Sequence, residues 1–399
     1  MLLSFLTSSY PVDRHYFLVP KFSWKWIGFY PETERTWSVR LWSFFNFFVL
    51  AYGCYAEASY GIHYLSIDVA TALDALCPVA SSIVSLLKMV CLWWYMDDFK
   101  FLIQRIRHLS EQEGSPKKLQ YKKKYYTLAT QLASIVFFFG FWTSMSYSIR
   151  NLWVNLHRLQ NDLDWIYETP FLMRLPAPML RLPLYPISYT LVQWHGNITV
   201  CCFAGADGLF VGFCIYLSVL IKSLRDDVCE TLAVKSDSPP TLQEELQVVR
   251  KLEQLIDRHN ELAELTALLS RVLAVITLGH FVTSSLIICA SVLGILLFSG
   301  TLVGTLAYVV YCICVSAEIF LYCLGGNFFV EGCSELARDV FDSAWYAHSI
   351  RVQKMTLLII LRAQRQLQIQ IPFFSPSLET LTSILRFTGS LLTLFVSVL

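Results

Sequence analysis

Six polar residues descend one side of the last apolar stretch of the chain, Ser375 to Val398: Glu379, Ser383, Arg386, Ser390, Thr393 and Ser397. Their steps of four and three keep them on one helical face. A carboxylate and a guanidinium inside such a stretch are costly in hydrocarbon unless they meet water or protein. The pattern reads as one wall of a water-lined path. The plainer alternative is a small-residue seam on which helices pack in lipid.

Other apolar stretches carry Lys88, Asp207, Arg271 and Glu318. Each is expensive alone, so they either pair inside a bundle, Lys88 with Glu318 being one match, or form an ion or proton relay. His63, His195 and His280 occur singly, which suits one internal hydrogen bond better than a metal. No His-Glu-x-x-His, Gly-x-Ser-x-Gly or phosphate-binding glycine loop is present, so neither catalysis nor a cofactor is indicated. Aromatics crowd the outer halves of several stretches: Phe137, Phe138, Phe139, Phe141 and Trp142, then Trp194, then Tyr308 and Tyr311. Tyr308 and Tyr311 share a helical face. An enclosed apolar pocket for a small ligand uses such residues, and so does an interfacial belt.

The elements that must position these residues are membrane helices. The 399 residues are 55% hydrophobic and only 15% charged, too apolar for an ordinary soluble domain. A net charge of +1 argues against a nucleic-acid partner. Seven stretches have the length and apolarity of spans: Leu41–Ile62, Leu73–Tyr95, Tyr125–Tyr147, Ile187–Leu220, Leu265–Leu297, Leu302–Gly325 and Ser375–Val398. Met1 to Pro11 has no basic lead and too short an apolar core, Leu2 to Leu6, for a secretory signal, so the first span is expected to direct insertion.

Basic residues set the orientation. They gather in the N-terminal segment (Arg14, Lys21, Lys25, Arg35, Arg40), in the second loop from Lys100 to Lys124, and in the sixth (Arg338, Arg351, Lys354, Arg362, Arg365), while the first and fifth loops have none. The N-terminus and the even loops are therefore cytoplasmic, and the C-terminus extracellular. This is opposite to a G-protein-coupled receptor, whose acidic-Arg-aromatic triplet and seventh-span Asn-Pro are also missing. All 12 cysteines lie in or beside apolar stretches or on the inner side, so no disulfide framework is implied, and Cys312 and Cys314 read as core residues on different faces.

Several helices are expected to project into the cytoplasm. Thr241 and Glu244 form a capping box, after which Leu246, Val249, Leu252, Ile256 and Leu262 continue an apolar stripe into the fifth span. The fourth span overruns the bilayer, and with Glu331 to Leu361 these projections are expected to form an intracellular bundle. The third loop holds Pro170, Pro176, Pro178, Pro183 and Pro186, which forbid a regular helix. Trp165, Phe171, Leu172, Met173 and Leu175 make it a packed cover over the outer ends of spans and not a disordered connector. The Asn197-Ile198-Thr199 sequon falls inside a span and is not expected to be glycosylated.

Lys354, Arg362-Ala363-Gln364-Arg365, Phe373-Phe374, Ser377-Leu378, Ile384-Leu385-Arg386, Thr388, Ser390 and Thr393-Leu394 together resemble the carboxyl-terminal signature of insect odorant receptors. Seven spans and an inside N-terminus extend the likeness over the whole chain. The chain departs from the family's usual pattern at Gln366, Pro372, Gly389 and Leu391, and lacks the Thr-Tyr and Gln-Phe ending of the related gustatory receptors.

The resemblance implies an all-α ligand-tuning subunit, not the co-receptor itself, that assembles with an odorant-receptor co-receptor into a tetrameric, non-selective cation channel. It implies a plasma-membrane location in a sensory dendrite and a small volatile ligand, with the aromatic lining pointing to an aromatic or heteroaromatic one. Residues 1–40 would be a cytoplasmic lead-in, 41–325 the first six spans with the odorant bundle, 326–372 anchor helices, and 373–399 the pore-lining span. By position, Leu394 falls at the family's gate with Val398 one turn outward, flanked by Ser390, Thr393 and Ser397. Tyr308 and Tyr311 match the pocket's sixth-span aromatics, with Phe138, Phe141, Trp142, Trp194 and Ile198 as further candidates. An ion- or proton-coupled transporter and a membrane scaffold are the competing readings.

Overall fold

Ten α-helices carry the chain in the computed structural model, which describes residues 6, 15–111, 116–234, 241–297, 302–365, 367–372 and 375–398. In order they are α1 (Leu18–Trp26), α2 (Trp37–Tyr64), α3 (Val69–Trp94), α4 (Met96–Glu111), α5 (Pro116–Gln160), α6 (Tyr185–Leu232), α7 (Leu242–Leu297), α8 (Leu302–Phe341), α9 (Ile350–Gln364) and α10 (Leu378–Val398). Helices α2, α3, α5, α6, α7, α8 and α10 coincide with the seven apolar stretches. Five of them, α3 and α5 to α8, are long and apolar enough to cross a membrane on length and composition alone.

The sequence periodicity explains how the helices are arranged. Helix α6 is apolar all round between Ile198 and Leu224 and is buried there on nearly every side. It is the central post, packed against α5, α8, α7, α1, α2 and α3. The N-terminal segment folds back onto it: Phe17, Pro20 and Trp24 lie against Gly212, Gly208 and Gly205, where a side chain on α6 would crowd them. His15, Tyr16, Phe17, Val19, Pro20, Ser23, Trp24 and Ile27 are thus buried, a packing role that the charge pattern did not reveal.

Helix α7 begins at the expected capping box, with Thr241 N–H donating to Glu244 Oε2 at 2.7 Å and Glu244 N–H to Thr241 Oγ1 at 3.4 Å. Its 56 residues reach roughly 84 Å at ~1.5 Å per residue, far beyond a bilayer core. The inner ends of α6 and α8 run beside it. Arg225 joins them through Glu335 (2.9 Å) and Asp339 (3.3 Å), while Asp227 takes Lys118 (2.7 Å) and Arg258 (3.4 Å). Amphipathic α4 adds an apolar face of Phe99, Leu102, Ile103, Ile106 and Leu109. α9 closes against α8 and α7.

The third loop is packed, as its apolar residues require. Phe171 and Met173 are buried with Ala56 and Val192, and Arg174 N–H donates to the Ala56 carbonyl at 3.0 Å. One turn of 3-10 helix, Ala177–Leu180, interrupts its proline-rich course.

Candidate functional site

Four helices present one face each to a common cavity of about 670 Å³, counting its mouth. Helix α5 contributes Gly140, Thr143, Ser144 and Tyr147; α6 contributes His195, Gly196, Thr199, Val200 and Phe203; α8 contributes Tyr311, Cys314, Val315 and Glu318. Pro78, Ser81 and Ser82 of α3 complete the wall, Glu57 reaches in from α2, and Phe171 of the third loop closes over it. The steps of three and four within each set show that these are helical faces, not chance neighbours.

The wall is apolar with a few fixed polar groups. Tyr311 Oη donates to the Cys77 carbonyl at 3.2 Å, which leaves Ser81 Oγ to donate to Tyr311. Ser82 Oγ donates to Glu57 Oε2 at 3.1 Å, and its lone pair faces His195 Nε2 at 3.3 Å. His195 Nδ1 stands 3.7 Å from Glu57 Oε1, and neither atom has a hydrogen-bond partner among the described residues. Thr143 Oγ1, which donates to the Phe139 carbonyl, lies 3.4 Å from Cys314 Sγ.

Beneath the cavity lies a buried charged cluster. Lys88 Nζ is 2.6 Å from Asp207 Oδ1 and sits 3.7 Å from the centre of the Phe203 ring. Tyr322 donates to the same Asp207 oxygen at 2.7 Å, and the His280 ring stacks on Tyr322 with centroids 4.7 Å apart. The expected match of Lys88 with Glu318 is corrected: the salt-bridge partner is Asp207 on α6, while Glu318 opens onto the cavity. Asp207, His280 and Glu318 have ligand atoms within 4.8 Å of one another, and the Lys88 ammonium already supplies a cation to Asp207. Arg271 is exposed and pairs with Asp98 at 3.3 Å.

The residues singled out from sequence are dispersed. Tyr311 lines the cavity, and Trp142 lines a neighbouring cleft with Tyr147 and Val310. Tyr308 is half-buried against Gly294 of α7. Phe138 and Phe141 are exposed on the outside of α5. Trp194 is half-buried, donating to Asn46 Oδ1 at 2.9 Å, and Ile198 is in the core. Cys312 packs against the core, whereas Cys314 is on the cavity wall and not a core residue. Glu57, Ser82 and Tyr147 were not singled out. A carboxylate in the first span was the available signal, since an ionisable group at membrane depth marks a site by default.

Helix α10 packs on α7 and α8 through Leu381 and Ile384 and leaves its polar ladder outside. Glu379, Ser383, Arg386, Ser390, Thr393 and Ser397 are all exposed, and Leu394 beside them is 58% exposed. The hydroxyls bond back to their own helix, Ser390 to the Arg386 carbonyl at 3.1 Å, Thr393 to Ser390 at 2.8 Å and Ser397 to Leu394 at 2.7 Å. Val398 ends the helix, but its side chain lies outside the described residues, as do Gln366, Phe373 and Phe374.

Comparisons with known proteins agree with this architecture. A family model described as 7tm Odorant receptor matches residues 68–389. Odorant receptor 24a of Drosophila melanogaster is 63% identical over 400 residues, covering 100% of both chains. Odorant receptor 10a of the same organism is 30% identical, covering 99% of this chain and 98% of that one. The structure of the insect olfactory receptor OR5 from Machilis hrabei in complex with eugenol superposes with a TM-score of 0.77 at 18% identity, covering 97% and 98% of the two chains. The chain is a seven-span, all-α membrane protein, and it belongs to the insect odorant receptor family.

Proposed function

We propose that the chain is the odorant-binding subunit of a ligand-gated, non-selective cation channel in the plasma membrane, assembled with the family's co-receptor, and that the cavity between α3, α5, α6 and α8 holds the odorant. One observation carries the assignment: the helices that build the cavity are the second, third, fourth and sixth spans, with Tyr311 of the sixth on the wall. That is the set of spans the family resemblance implies. The solved relative from Machilis binds eugenol, a small aromatic, and the apolar wall here suits a ligand of that kind.

Helix α8 connects the cavity to the last span. Its outer half carries Tyr311, Cys314, Val315 and Glu318 on the wall, and its inner part packs against α10. Ligand binding acts by population shift, favouring the conformer whose α8 fits the filled cavity. Burying apolar groups at ~25 cal/mol per Å² supplies only several kcal/mol. That suffices when closed and open states differ by little. The exposed ladder of α10 lines the ion path, and a ring at Leu394 closes it by excluding water.

The test is whole-cell current during application of an odorant panel. Cells would carry this chain alone, the co-receptor alone, or both. The proposal requires an odorant-evoked cation current that appears with both chains and is absent from the co-receptor alone; saturable uptake without current would favour a transporter instead.

A further inference from the structure

A second cleft, of about 1180 Å³ counting its open mouth, lies between the α1–α2 connection, α2 and the inner end of α3. Its inner rim carries Arg35 and Arg40, and its depth is apolar, with Phe44, Met89, Val90 and Trp93 on the wall. We infer that this cleft binds an anionic phospholipid of the cytoplasmic leaflet, the phosphate held by the two guanidinium groups and an acyl chain laid along the apolar wall.

The charges are available. Arg35 and Arg40 are exposed, and neither has a carboxylate partner among the described residues; Arg35 reaches only the Met96 sulfur, at 2.6 Å. The acidic groups nearby are placed elsewhere. Glu32 takes Arg107 at 2.8 Å, Asp98 takes Arg271, and Glu34 and Asp97 do not line the cleft. Helix α2 starts here, capped by Thr36 accepting from Val39 N–H at 3.4 Å, so its positive end adds to the field at the rim.

The depth matches as well. Trp37, Trp93 and Trp94 are exposed at this level, the arrangement that marks a membrane–water interface. The basic N-terminal segment places that interface on the cytoplasmic side, where anionic lipids are enriched. Helix α2, which starts at the two arginines, packs on α3 and α6, while α10, the helix of the proposed ion path, packs on α7 and α8.

The test is photolabelling of the receptor, assembled with its co-receptor in nanodiscs, with a photoactivatable phosphatidylserine or phosphatidylcholine. The readout is label on peptides of this chain between Glu34 and Met96. Phosphatidylserine should label them well above phosphatidylcholine, and each Arg→Gln change should reduce that preference about fivefold, the effect of one basic residue near an anionic surface. Val90→Trp, which fills the apolar part and keeps both charges, should also remove the label, while Lys100→Gln, on the same side but outside the cleft, should leave it unchanged. Equal labelling by both lipids, no change in Arg35→Gln/Arg40→Gln, or an equal loss in Lys100→Gln would overturn the inference.

Discussion

Gly326 on α8 lies so close to Pro376, just ahead of α10, that a Cβ at that position would stand 3.0 Å from the proline carbonyl carbon. The same helix carries Tyr311 and Glu318 on the cavity wall, so α8 touches both the cavity and the segment that leads into α10. Gly326→Ala forces the two apart, at a cost of about 1–3 kcal/mol in a packed site. The expected outcome is a changed basal current and a changed odorant sensitivity with an unchanged odorant ranking, measured by dose–response curves. A shift in ranking alone would place Gly326 with the ligand, not with gating.

Tyr311→Phe keeps the ring and removes the hydroxyl that bonds Cys77 and Ser81. A lost neutral hydrogen bond is worth about 1 kcal/mol, or roughly fivefold in half-maximal concentration. Odorants that use the hydroxyl should lose potency while purely apolar ones hold or gain it, at equal surface delivery. An even loss across the panel would assign the tyrosine to packing.

The pair formed by Lys88 and Asp207 is fully buried between α3 and α6. Removing either charge leaves the other without a partner, a change that typically costs about 3–5 kcal/mol. Lys88→Met or Asp207→Leu alone should lower the melting temperature and surface delivery sharply, and the double variant should recover part of the loss. Additive losses in the double variant would show that the ion pair is not what couples these positions.

Outside the membrane, Glu32 is held by Tyr30 (2.9 Å) and Arg107 (2.8 Å). Burial opposes its ionisation, yet the hydrogen bonds from Arg107 and Tyr30 prevail and hold its carboxyl below the ordinary value. A carboxylate whose value is depressed in the folded state stabilises the fold at neutral pH and stops doing so as pH falls through that depressed value. Wild-type protein should therefore melt above Glu32→Gln at pH 7, with the gap closing below the ordinary carboxylate value of 4.5. A gap that is constant with pH would mean the carboxylate contributes by shape alone.

On the last span, Leu394→Ala should raise basal leak, because a smaller side chain wets the proposed constriction. The recording needs the co-receptor present with its own gate weakened, so that the co-receptor's contribution does not hide the effect. No added leak under that condition would move the gate elsewhere on α10.

Much of this architecture is legible in the sequence, because membrane helices are long apolar runs with charges at their ends. The capping box at Thr241 and Glu244, the apolar stripe behind it and the polar ladder of α10 all report local periodicity, and local periodicity survives in the fold. The cavity was less legible. Beside its apolar residues, the wall uses small ones such as Ser82, Gly140, Thr143 and Thr199, which carry no sequence signal of a pocket and are brought together from helices far apart in the chain. Aromatics drew attention instead, yet Phe138, Phe139 and Trp142 lie on the exposed side of α5, since in lipid an aromatic is as stable facing out as in. Lys88 was recognised as needing a partner, but only helix adjacency selects Asp207 over Glu318.

The most direct test of the central claim is odorant-evoked current from cells carrying the co-receptor and either the wild-type chain or Thr143→Trp, whose indole would fill the cavity from the α5 wall. With surface delivery of both matched, the account predicts a current in the first case and none, or one elicited only by smaller odorants, in the second. An unchanged response of Thr143→Trp to the full panel would contradict the placement of the odorant in this cavity.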